Sequence, residues 1–371
     1  MRVIVIGAGI AGAATGHRLA RAGADTVLVD AGHEGRATSA GAGIVCPWTS
    51  RVSDEHLYRL LLAGAEHYPR LLAELAEDGE HEVGHRRVGS LRLLGPGGEG
   101  TPEADAVRAT IAARAENSPL AGEVSLIDGA AAQALFPALD GTQSAVHVPG
   151  AARVDGRLLR DALCRAAARH GARLAQGPAS LLVRDGRVRG AVVDGERLDA
   201  DAVVVAAGAW APAVLEPVGV HVPVAPQRGQ IVHLALPGTD TSAWPVVLPN
   251  GAHYLLAFDG SRVVVGATRE TGSGYDPRLT AAGLAEVLTS ALAVAPGLAG
   301  ATILETRVGL RPMSPDGRPQ LGTVPRLPGL VVLDGLGPSG LTIGPYAGTV
   351  AARLALGEDP GLGLSPYDPE R

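Results

Sequence analysis

The chain has 371 residues, of which 46% are hydrophobic and only 3% are aromatic, and its formal net charge is −6. This length and composition predict a globular protein of two lobes, with cores built from Ala, Val and Leu. The mild negative charge and the lack of a basic stripe argue against a nucleic-acid partner. Because all 32 basic residues are arginine, a Schiff-base lysine and the lysine of a phosphate-binding P-loop are both excluded.

Cysteines and apolar runs set further limits. Cys46 and Cys164 stand alone in the sequence, so we expect no disulfide framework and no metal site, and we expect both to be buried as small apolar residues. The first apolar run is short and interrupted by glycine, and no stretch approaches about 20 apolar residues. We therefore expect a cytoplasmic protein with no membrane span, and the sequence allows an oligomer.

The first thirty residues have the pattern of a strand, a glycine-rich turn, a helix and a second strand that ends on an acid. The apolar run 3–6 meets Gly7, Gly9 and Gly12, and the next apolar run ends on Asp30. In a dinucleotide-binding unit the glycines allow the turn, the approach of a pyrophosphate and close packing of the helix on the strand. The helix N-terminus offers N–H groups to phosphates. A glycine-rich turn alone would not explain Asp30, which is suited to ribose hydroxyls and argues against a 2′-phosphate.

Hydrophobic periodicity divides the rest of the chain into helices and strands. Helices are predicted over 54–77, 103–116, 130–135 and 156–170, over 280–293, and from about Pro345 to Leu356. The other predicted elements are strands over 88–94, 202–207 and 330–333, antiparallel sheet over 222–269, hairpin turns at Asp185-Gly186 and Asp194-Gly195, and a loop over 31–50. Strand and glycine-loop patterns return near the end of the chain, so we expect a discontinuous nucleotide-binding lobe with a second lobe inserted.

Eight segments, in order, resemble the D-amino-acid oxidase superfamily of FAD-dependent oxidoreductases, most nearly its glycine oxidase and sarcosine oxidase branch. They are VIVIGAGIAGAATGHRLA, GRATSAGAGIV, ARVDGRLLRDALCRAAARHGARL, ADAVVVAAGAWA, PVAPQRGQIV, HYLLAFDGSRVVVGAT, GLRPMSPDGRPQLG and GLVVLDGLGPSGLTIGPYAG. The resemblance implies an α/β fold with an α+β second lobe: a Rossmann-like FAD-binding domain with an inserted antiparallel-sheet substrate domain. We expect the FAD-binding domain over 1–83, 140–215 and 306–371, and the substrate-binding domain over 84–139 and 216–305.

The resemblance implies FAD as the cofactor. FAD would be bound non-covalently, because neither cysteine lies in a segment that matches a covalent attachment site. Small residues in GRATSAGAGIV would let the backbone approach the pyrophosphate and the flavin ring, and GLGPSGL would present N–H groups and a positive helix end to the flavin. The residues implied at the cofactor are Gly7, Gly9, Ile10, Ala11, Gly12, Asp30, Ala31, Arg36, Ala37, Thr38, Ser39, Ala42, Gly43, Ile44, Ala179, Gly208, Gly337, Pro338, Ser339, Gly340 and Leu341.

The resemblance also implies the residues that bind substrate. Arg311 corresponds to the arginine that anchors the substrate carboxylate, a task to which a forked guanidinium is suited. Tyr254 corresponds to a tyrosine beside that carboxylate, and Arg269 is a further candidate near the pocket. The expected substrate is an amino acid or N-substituted amino acid, held with its Cα–H towards flavin N5. Hydride transfer would give an imine, which water hydrolyses to an oxo acid and ammonia or an amine, and oxygen or another acceptor would take the electrons.

The chain also departs from that branch. Leu336 replaces a histidine that commonly follows the loop glycine, Pro338 stands where some members carry a second arginine, and the lysine that activates oxygen in sarcosine-oxidase-like members is absent. Three alternatives stay open: an FAD dehydrogenase that passes electrons to a quinone or partner subunit, an enzyme that oxidises 2-hydroxy acids, and a catalytically idle flavin-binding subunit. A dehydrogenase that uses only NAD would need neither GRATSAGAGIV nor GLGPSGL.

Overall fold

The computed structural model describes residues 1–95 and 97–371, so Pro96, in the predicted second domain, lies outside the described residues. Within these residues the chain forms eight α-helices and 21 strands. The helices are α1 (Ile10–Arg21), α2 (Glu55–Glu77), α3 (Pro102–Glu116), α4 (Gly129–Leu135), α5 (Gly156–Arg169), α6 (Ala211–Leu215), α7 (Ala281–Val294) and α8 (Gly340–Leu356). The strands are β1 (Arg2–Ile6), β2 (Asp25–Asp30), β3 (Ile44–Val45), β4 (Arg86–Arg87), β5 (Ser90–Leu93), β6 (Ser125–Ile127), β7 (Ala145–Val148), β8 (Ala152–Arg153), β9 (Arg173–Gln176), β10 (Ala179–Arg184), β11 (Arg187–Val193), β12 (Glu196–Asp199), β13 (Ala202–Val205), β14 (Ala225–Ala235), β15 (Val246–Leu248), β16 (Tyr254–Phe258), β17 (Arg262–Gly266), β18 (Glu270–Thr271), β19 (Thr302–Met313), β20 (Gln320–Thr323) and β21 (Leu330–Asp334).

The first lobe is organised around a six-stranded sheet in the order β20-β21-β13-β1-β2-β9. Neighbours from β21 to β9 are parallel, and β20 runs antiparallel at the edge. Helices α1 and α8 pack on one face of this sheet, and β11 with α6 packs on the other. The central strands are therefore rich in Val, Ile and Leu and buried on both faces, as expected of a covered parallel sheet.

The second lobe is organised around a nine-stranded sheet made of β5, β6, β7 and β14 to β19. Its described pairings are antiparallel, apart from that between β5 and β15. Helix α7 and the end of α4 cover part of this sheet around Phe136, Val232 and Trp244. Two small sheets, β10-β11-β12 and β3-β8-β4, complete the described strands.

The expected fold class is confirmed. The parallel sheet takes strands from the beginning, the middle and the end of the chain, and the strands of the antiparallel sheet lie in the two stretches between them. The strand pairing differs from the predicted domain boundaries at two places. Ala145–Val148 and most of Thr302–Met313 belong to the nine-stranded sheet, although the sequence places 140–215 and 306–371 in the first domain. The boundaries themselves stay a prediction.

Helix α8 begins at Gly340 and not at Pro345, so the predicted start was wrong. Proline favours the first turn of a helix, but Pro345 lies inside this one. A proline has no N–H to donate to the carbonyl of Leu341, one turn earlier. The hydroxyl of Tyr68, on α2, donates to that carbonyl instead. The buried acceptor is thereby satisfied, and the helix continues through the proline.

The other predicted helices and strands lie within a few residues of their expected positions. The predicted loop over 31–50 contains a short 3-10 helix, Ala37–Ala40, and β3. Both predicted hairpin turns are present, and Asp185 and Asp194 adopt φ values of +52° and +46° there.

Cys46 is buried, as expected, whereas Cys164 is only partly buried. None of the described helices combines the length and the apolar character needed to cross a bilayer. In the same described residues, no group of three or more His, Cys, Asp or Glu side chains is placed to hold a metal ion.

Candidate active site

A cleft of about 410 Å³ lies where the two sheets meet. One wall consists of loops at the carboxyl ends of β1, β2, β13 and β21, including Gly7, Asp30 and Gly208. Such loops form the ligand-binding crevice of an open parallel sheet. The opposite wall is a face of the nine-stranded sheet, where Tyr254 and Arg311 lie.

The turn after β1 and the first turn of α1 each contain one position that accepts only glycine. Gly7 has a φ of +101°, and a Cβ built on it would lie 2.3 Å from the carbonyl oxygen of Ala206. A Cβ on Gly12 would lie 1.7 Å from the carbonyl oxygen of Gly7. At Gly9 the nearest atom to an added Cβ is Oγ1 of Thr38, at 3.3 Å. The turn therefore brings bare backbone to the cleft surface and packs α1 tightly against it.

Helices α1 and α8 begin at the cleft without a side-chain cap. The N-termini of α2, α3, α4, α5 and α7, in contrast, are capped by Asp54, Thr101, Asp128, Asp155 and Thr280. In α1 the N–H of Ile10 donates to Oγ1 of Thr38 at 3.0 Å. The other uncapped N–H groups, together with the positive ends of the helix dipoles, suit anionic or electron-rich ligand groups.

Asp30, at the end of β2, is held by three donors. Its Oδ1 accepts from the N–H of Gly32 at 2.8 Å, and its Oδ2 accepts from Arg36 and Arg160 at 3.1 Å each. Arg160 also donates to the carbonyl of Ala8 in the glycine turn at 2.8 Å. Since a carboxylate offers about four acceptor positions, Asp30 can still accept a bond from a ligand hydroxyl.

Most of the predicted site residues line the cleft. They are Gly7, Gly9, Ile10, Ala11, Asp30, Ala31, Arg36, Ala37, Thr38, Ala42, Gly43, Ile44, Ala179, Gly208, Tyr254, Arg311, Gly337, Pro338, Gly340 and Leu341. Gly12, Ser39 and Ser339 are not among the lining residues. Gly12 lies behind the surface against Gly7, the carbonyl of Ser39 accepts from Arg157, and the N–H of Ser339 donates to Leu336. These three residues shape the loops from behind.

Two aromatic residues of the cleft were missed by the sequence analysis. The rings of His33 and Trp210 stack with their centroids 4.5 Å apart and their planes 11° from parallel, and both line the cleft. They follow the carboxyl ends of β2 and β13. Their pairing depends on the sheet order, so no local sequence pattern could indicate it.

Asp334 was also missed. It ends β21, lines the cleft and is only 2% exposed. Its Oδ1 accepts from the N–H of Gly335 at 2.6 Å, while its Oδ2 has no partner among the described residues. Burial raises the pKa of Asp334 well above its usual range, which favours the neutral form of this carboxyl. An acid at the end of a buried strand, as at Asp30, is the signal that could have identified it.

Arg311 and Tyr254 share one face of the nine-stranded sheet, with β14 and β17 between their strands. Glycines on the intervening strands make room for them. A Cβ on Gly229 would lie 2.3 Å from Nη2 of Arg311, and a Cβ on Gly266 would lie 2.9 Å from the hydroxyl oxygen of Tyr254. Both side chains therefore lie flat on bare backbone at the cleft wall.

The described residues provide no carboxylate partner for Arg311, which donates to the carbonyl of Thr268 at 3.1 Å. Burial lowers the pKa of Arg311, and the nearby charge of Arg269 lowers it further. Burial also raises the pKa of Tyr254, so its hydroxyl remains a donor at neutral pH. The charge of Glu270 raises the pKa of Arg311, but the described residues form no salt bridge with it. A partly buried guanidinium of this kind, beside a phenol, is suited to bind a ligand carboxylate.

A family model described as FAD dependent oxidoreductase (DAO) matches residues 2–354. The chain belongs to this family. The predicted family and cofactor are thus confirmed, and the protein is an FAD-dependent enzyme.

Three similar proteins match this chain along nearly their whole length. The oxidoreductase YurR of Bacillus subtilis is 44% identical over 367 residues, covering 99% of this chain and 98% of its own. The glycine oxidase of Pseudomonas aeruginosa is 33% identical over 379 residues, covering 99% of this chain and 98% of its own. The crystal structure of iminodiacetate oxidase (IdaA) from Chelativorans sp. BNC1 is 48% identical, covers 99% of both chains and has a TM-score of 0.96.

The cleft fits FAD. The uncapped N-terminus of α1 and the bare glycine backbone suit a pyrophosphate, and Asp30 retains an acceptor position for a ribose hydroxyl. The uncapped N-terminus of α8, at Gly340 and Leu341, would lie behind the flavin and offer it N–H donors. Cys46 and Cys164 are not among the residues that line the cleft. The roles of individual residues and the non-covalent attachment stay predictions.

Proposed function

We propose that the protein oxidises the carbon–nitrogen bond of an amino acid or an N-substituted amino acid. The CH–NH group would become an imine, and water would hydrolyse the imine to an oxo acid and ammonia or an amine. The observation that carries this proposal is the guanidinium of Arg311, which lies flat over Gly229 without a carboxylate partner among the described residues. It lines the same cleft as the dinucleotide-binding turn.

The relatives support this class of substrate. Two of them are named as a glycine oxidase and an iminodiacetate oxidase, and both glycine and iminodiacetate are amines that carry a carboxylate. An arginine anchor for that carboxylate is what such a substrate requires.

The contribution of the chain to the reaction is mainly positioning. Arg311 and Tyr254 would hold the carboxylate, which fixes the direction of the adjacent Cα–H bond. Bound FAD supplies the two-electron acceptor, with N5 as the position that takes the hydride. The lone pair of an uncharged substrate amine assists the departure of the hydride, so the proposal needs no protein general base.

Product analysis tests this proposal. The purified holoenzyme is incubated with glycine, sarcosine, proline, the D- and L-amino acids, and with a 2-hydroxy acid such as lactate. Oxo acid, ammonia and amine are measured, together with oxygen uptake and dye reduction, so that the result does not depend on the electron acceptor. We expect ammonia or amine in equal amount to the oxo acid. An oxo acid formed only from the 2-hydroxy acid, or no turnover with either acceptor, would contradict the proposal.

A further inference from the structure

Four arginines near the substrate side of the cleft have no carboxylate partner among the described residues. They are Arg51, Arg92, Arg269 and Arg311. Nη2 of Arg51 and Nη1 of Arg92 both donate to the carbonyl oxygen of Pro249, at 3.1 Å and 3.0 Å. Two guanidinium groups that share one acceptor lie close to each other, although their charges repel.

Arg269 connects this pair to the substrate anchor. It lines the cleft, as do Arg311, Tyr254 and Ala252, and Ala252 follows Pro249 closely in sequence. Burial is the largest cause that lowers the pKa of Arg311 and of Arg51, and the charge of Arg269 lowers both pKa values further. Burial lowers the pKa of Arg92 to about 10, and Arg51 contributes to that shift. The four cations are thus neighbours in a row that begins at Arg311.

The acids nearest to this row in sequence are already paired elsewhere. Glu270, which directly follows Arg269, accepts from Arg228 and from Gln230. Its charge also raises the pKa of Arg311, although it forms no salt bridge with that residue. Other arginines of the same sheet also have a carboxylate: Arg228 pairs with Asp276 as well, and Arg262 pairs with Asp155. The four arginines of the row therefore differ from Arg228 and Arg262 of the same sheet, which have carboxylate partners.

Arg92 is buried and Arg311 is partly buried, whereas Arg51 and Arg269 are exposed. Positive charge gathered at a cleft attracts a ligand that carries negative charge. The phosphates of the cofactor have a separate site, at the N-terminus of α1. The substrate carboxylate adjacent to the reacting carbon needs only Arg311 and Tyr254. The remaining positive charge lies beyond that anchor, at Arg269 and Arg51.

We propose that Arg269, with Arg51 behind it, binds a second substrate carboxylate, so that the preferred substrate is an amine that bears two carboxylates. Arg92 acts as a positioning residue, because it shares the Pro249 carbonyl with Arg51 and adds positive potential. This inference rests on the proposed function and narrows it from carboxylate-bearing amines in general to amino dicarboxylates.

The inference is tested by comparing substrates that have or lack the second carboxylate. Iminodiacetate carries two carboxylates around one amine, N-(carbamoylmethyl)glycine replaces one of them by an amide of the same size, and sarcosine replaces it by hydrogen. A charged hydrogen-bonded pair corresponds to about 10- to 100-fold in kcat/KM. We expect the wild-type holoenzyme to prefer iminodiacetate to the amide by about this factor.

Substitutions of Arg269 test whether this residue causes the preference for a second carboxylate. In Arg269→Met we expect kcat/KM for iminodiacetate to fall by about 10- to 100-fold, and the preference for iminodiacetate over its amide to fall below about twofold. Arg269→Lys should restore part of the loss, since it keeps the charge but not the forked geometry. Arg184→Met removes an exposed arginine that does not line the cleft. This control variant should leave kcat/KM unchanged for all three substrates.

Binding of inert analogues gives a readout that does not depend on turnover. Oxydiacetate has the shape of iminodiacetate without the amine, and methoxyacetate is its counterpart with one carboxylate. By calorimetry on the holoenzyme, oxydiacetate should bind about 10-fold or more tighter than methoxyacetate, and Arg269→Met should remove the difference. Equal binding of both analogues, or an iminodiacetate preference that survives in Arg269→Met, would overturn the inference. In that case oxidation of sarcosine would still support the proposed function, whereas no oxidation of any of these amines would contradict both.

Discussion

The guanidinium of Arg311 lies against the bare Cα of Gly229 on the neighbouring strand. A Cβ built on Gly229 would lie 2.3 Å from Nη2 and 2.4 Å from Cζ of Arg311. The absence of a side chain at Gly229 therefore sets the height at which the arginine projects into the cleft.

Gly229→Ala should displace Arg311 without removing it. We expect KM for the amino acid substrate to rise by about 10-fold or more, because the carboxylate anchor loses its geometry. The visible absorbance of bound flavin should be retained. Gly300→Ala is the matched control, since no atom lies within 4 Å of an added Cβ there. Unchanged kinetics in Gly229→Ala would mean that the position of Arg311 does not control binding.

Replacing the anchor itself should separate substrate binding from cofactor binding. Arg311→Met should lower kcat/KM by about 100-fold or more, because a buried bidentate partner of the carboxylate is lost. Arg311→Lys should recover part of the activity, and both variants should retain FAD. Steady-state kinetics and the flavin spectrum measure the two effects. Loss of FAD from both variants would show that Arg311 supports the cofactor site instead.

Tyr68 should stabilise the folded chain through the carbonyl of Leu341. In Tyr68→Phe this buried acceptor loses its donor, since Pro345 cannot supply one. We expect the free energy of unfolding to fall by about 1–3 kcal/mol in urea titrations. Tyr58→Phe is the control, because the hydroxyl of Tyr58 has no hydrogen-bond partner among the described residues. Equal stability of the two variants would contradict this account of how α8 passes through its proline.

Gly12→Ala should disturb the cofactor turn from behind. The added Cβ would lie 1.7 Å from the carbonyl oxygen of Gly7, so α1 must move away from the turn. Overpacking of this kind costs about 1–3 kcal/mol, and we expect a purified protein that contains less FAD than wild type. The ratio of flavin absorbance to protein absorbance measures this, with Gly300→Ala again as the control. A full complement of FAD in Gly12→Ala would be inconsistent with the predicted role of the turn.

Asp334 should make the stability of the protein depend on pH. Burial holds its pKa well above the usual range in the folded state, whereas in the unfolded chain it ionises near its ordinary value of about 4. Between these two pKa values the folded state binds more protons, so the contribution of Asp334 to the free energy of unfolding falls as pH rises. Asp334→Asn keeps the shape and does not titrate. Its Tm relative to wild type should therefore increase as the pH rises above the ordinary carboxyl pKa, and a difference that stays constant with pH would contradict the raised pKa of Asp334.

Most of the residues that the sequence analysis assigned to the cofactor line the cleft. Gly7, Gly12 and Asp30 are separated by short, fixed spacings within one strand–helix–strand unit, so their arrangement follows from local geometry. The predicted start of α8 was wrong because it depends on a contact between distant parts of the chain. The hydroxyl of Tyr68, from another helix, replaces the missing N–H donor of Pro345. The same limit applies to the cluster at Pro249, where Arg51 and Arg92 meet only after three distant segments fold together.

Anaerobic titration of the flavin absorbance tests the proposed activity most directly. Purified holoenzyme is mixed without oxygen with glycine, sarcosine, proline, the D- and L-amino acids and iminodiacetate, one at a time. We predict that at least one of these amines bleaches the flavin band at millimolar concentration, and that Arg311→Met abolishes the bleaching at the same concentration. A flavin band that none of the amines bleaches, or that only a 2-hydroxy acid bleaches, would contradict oxidation of an amino acid in this cleft.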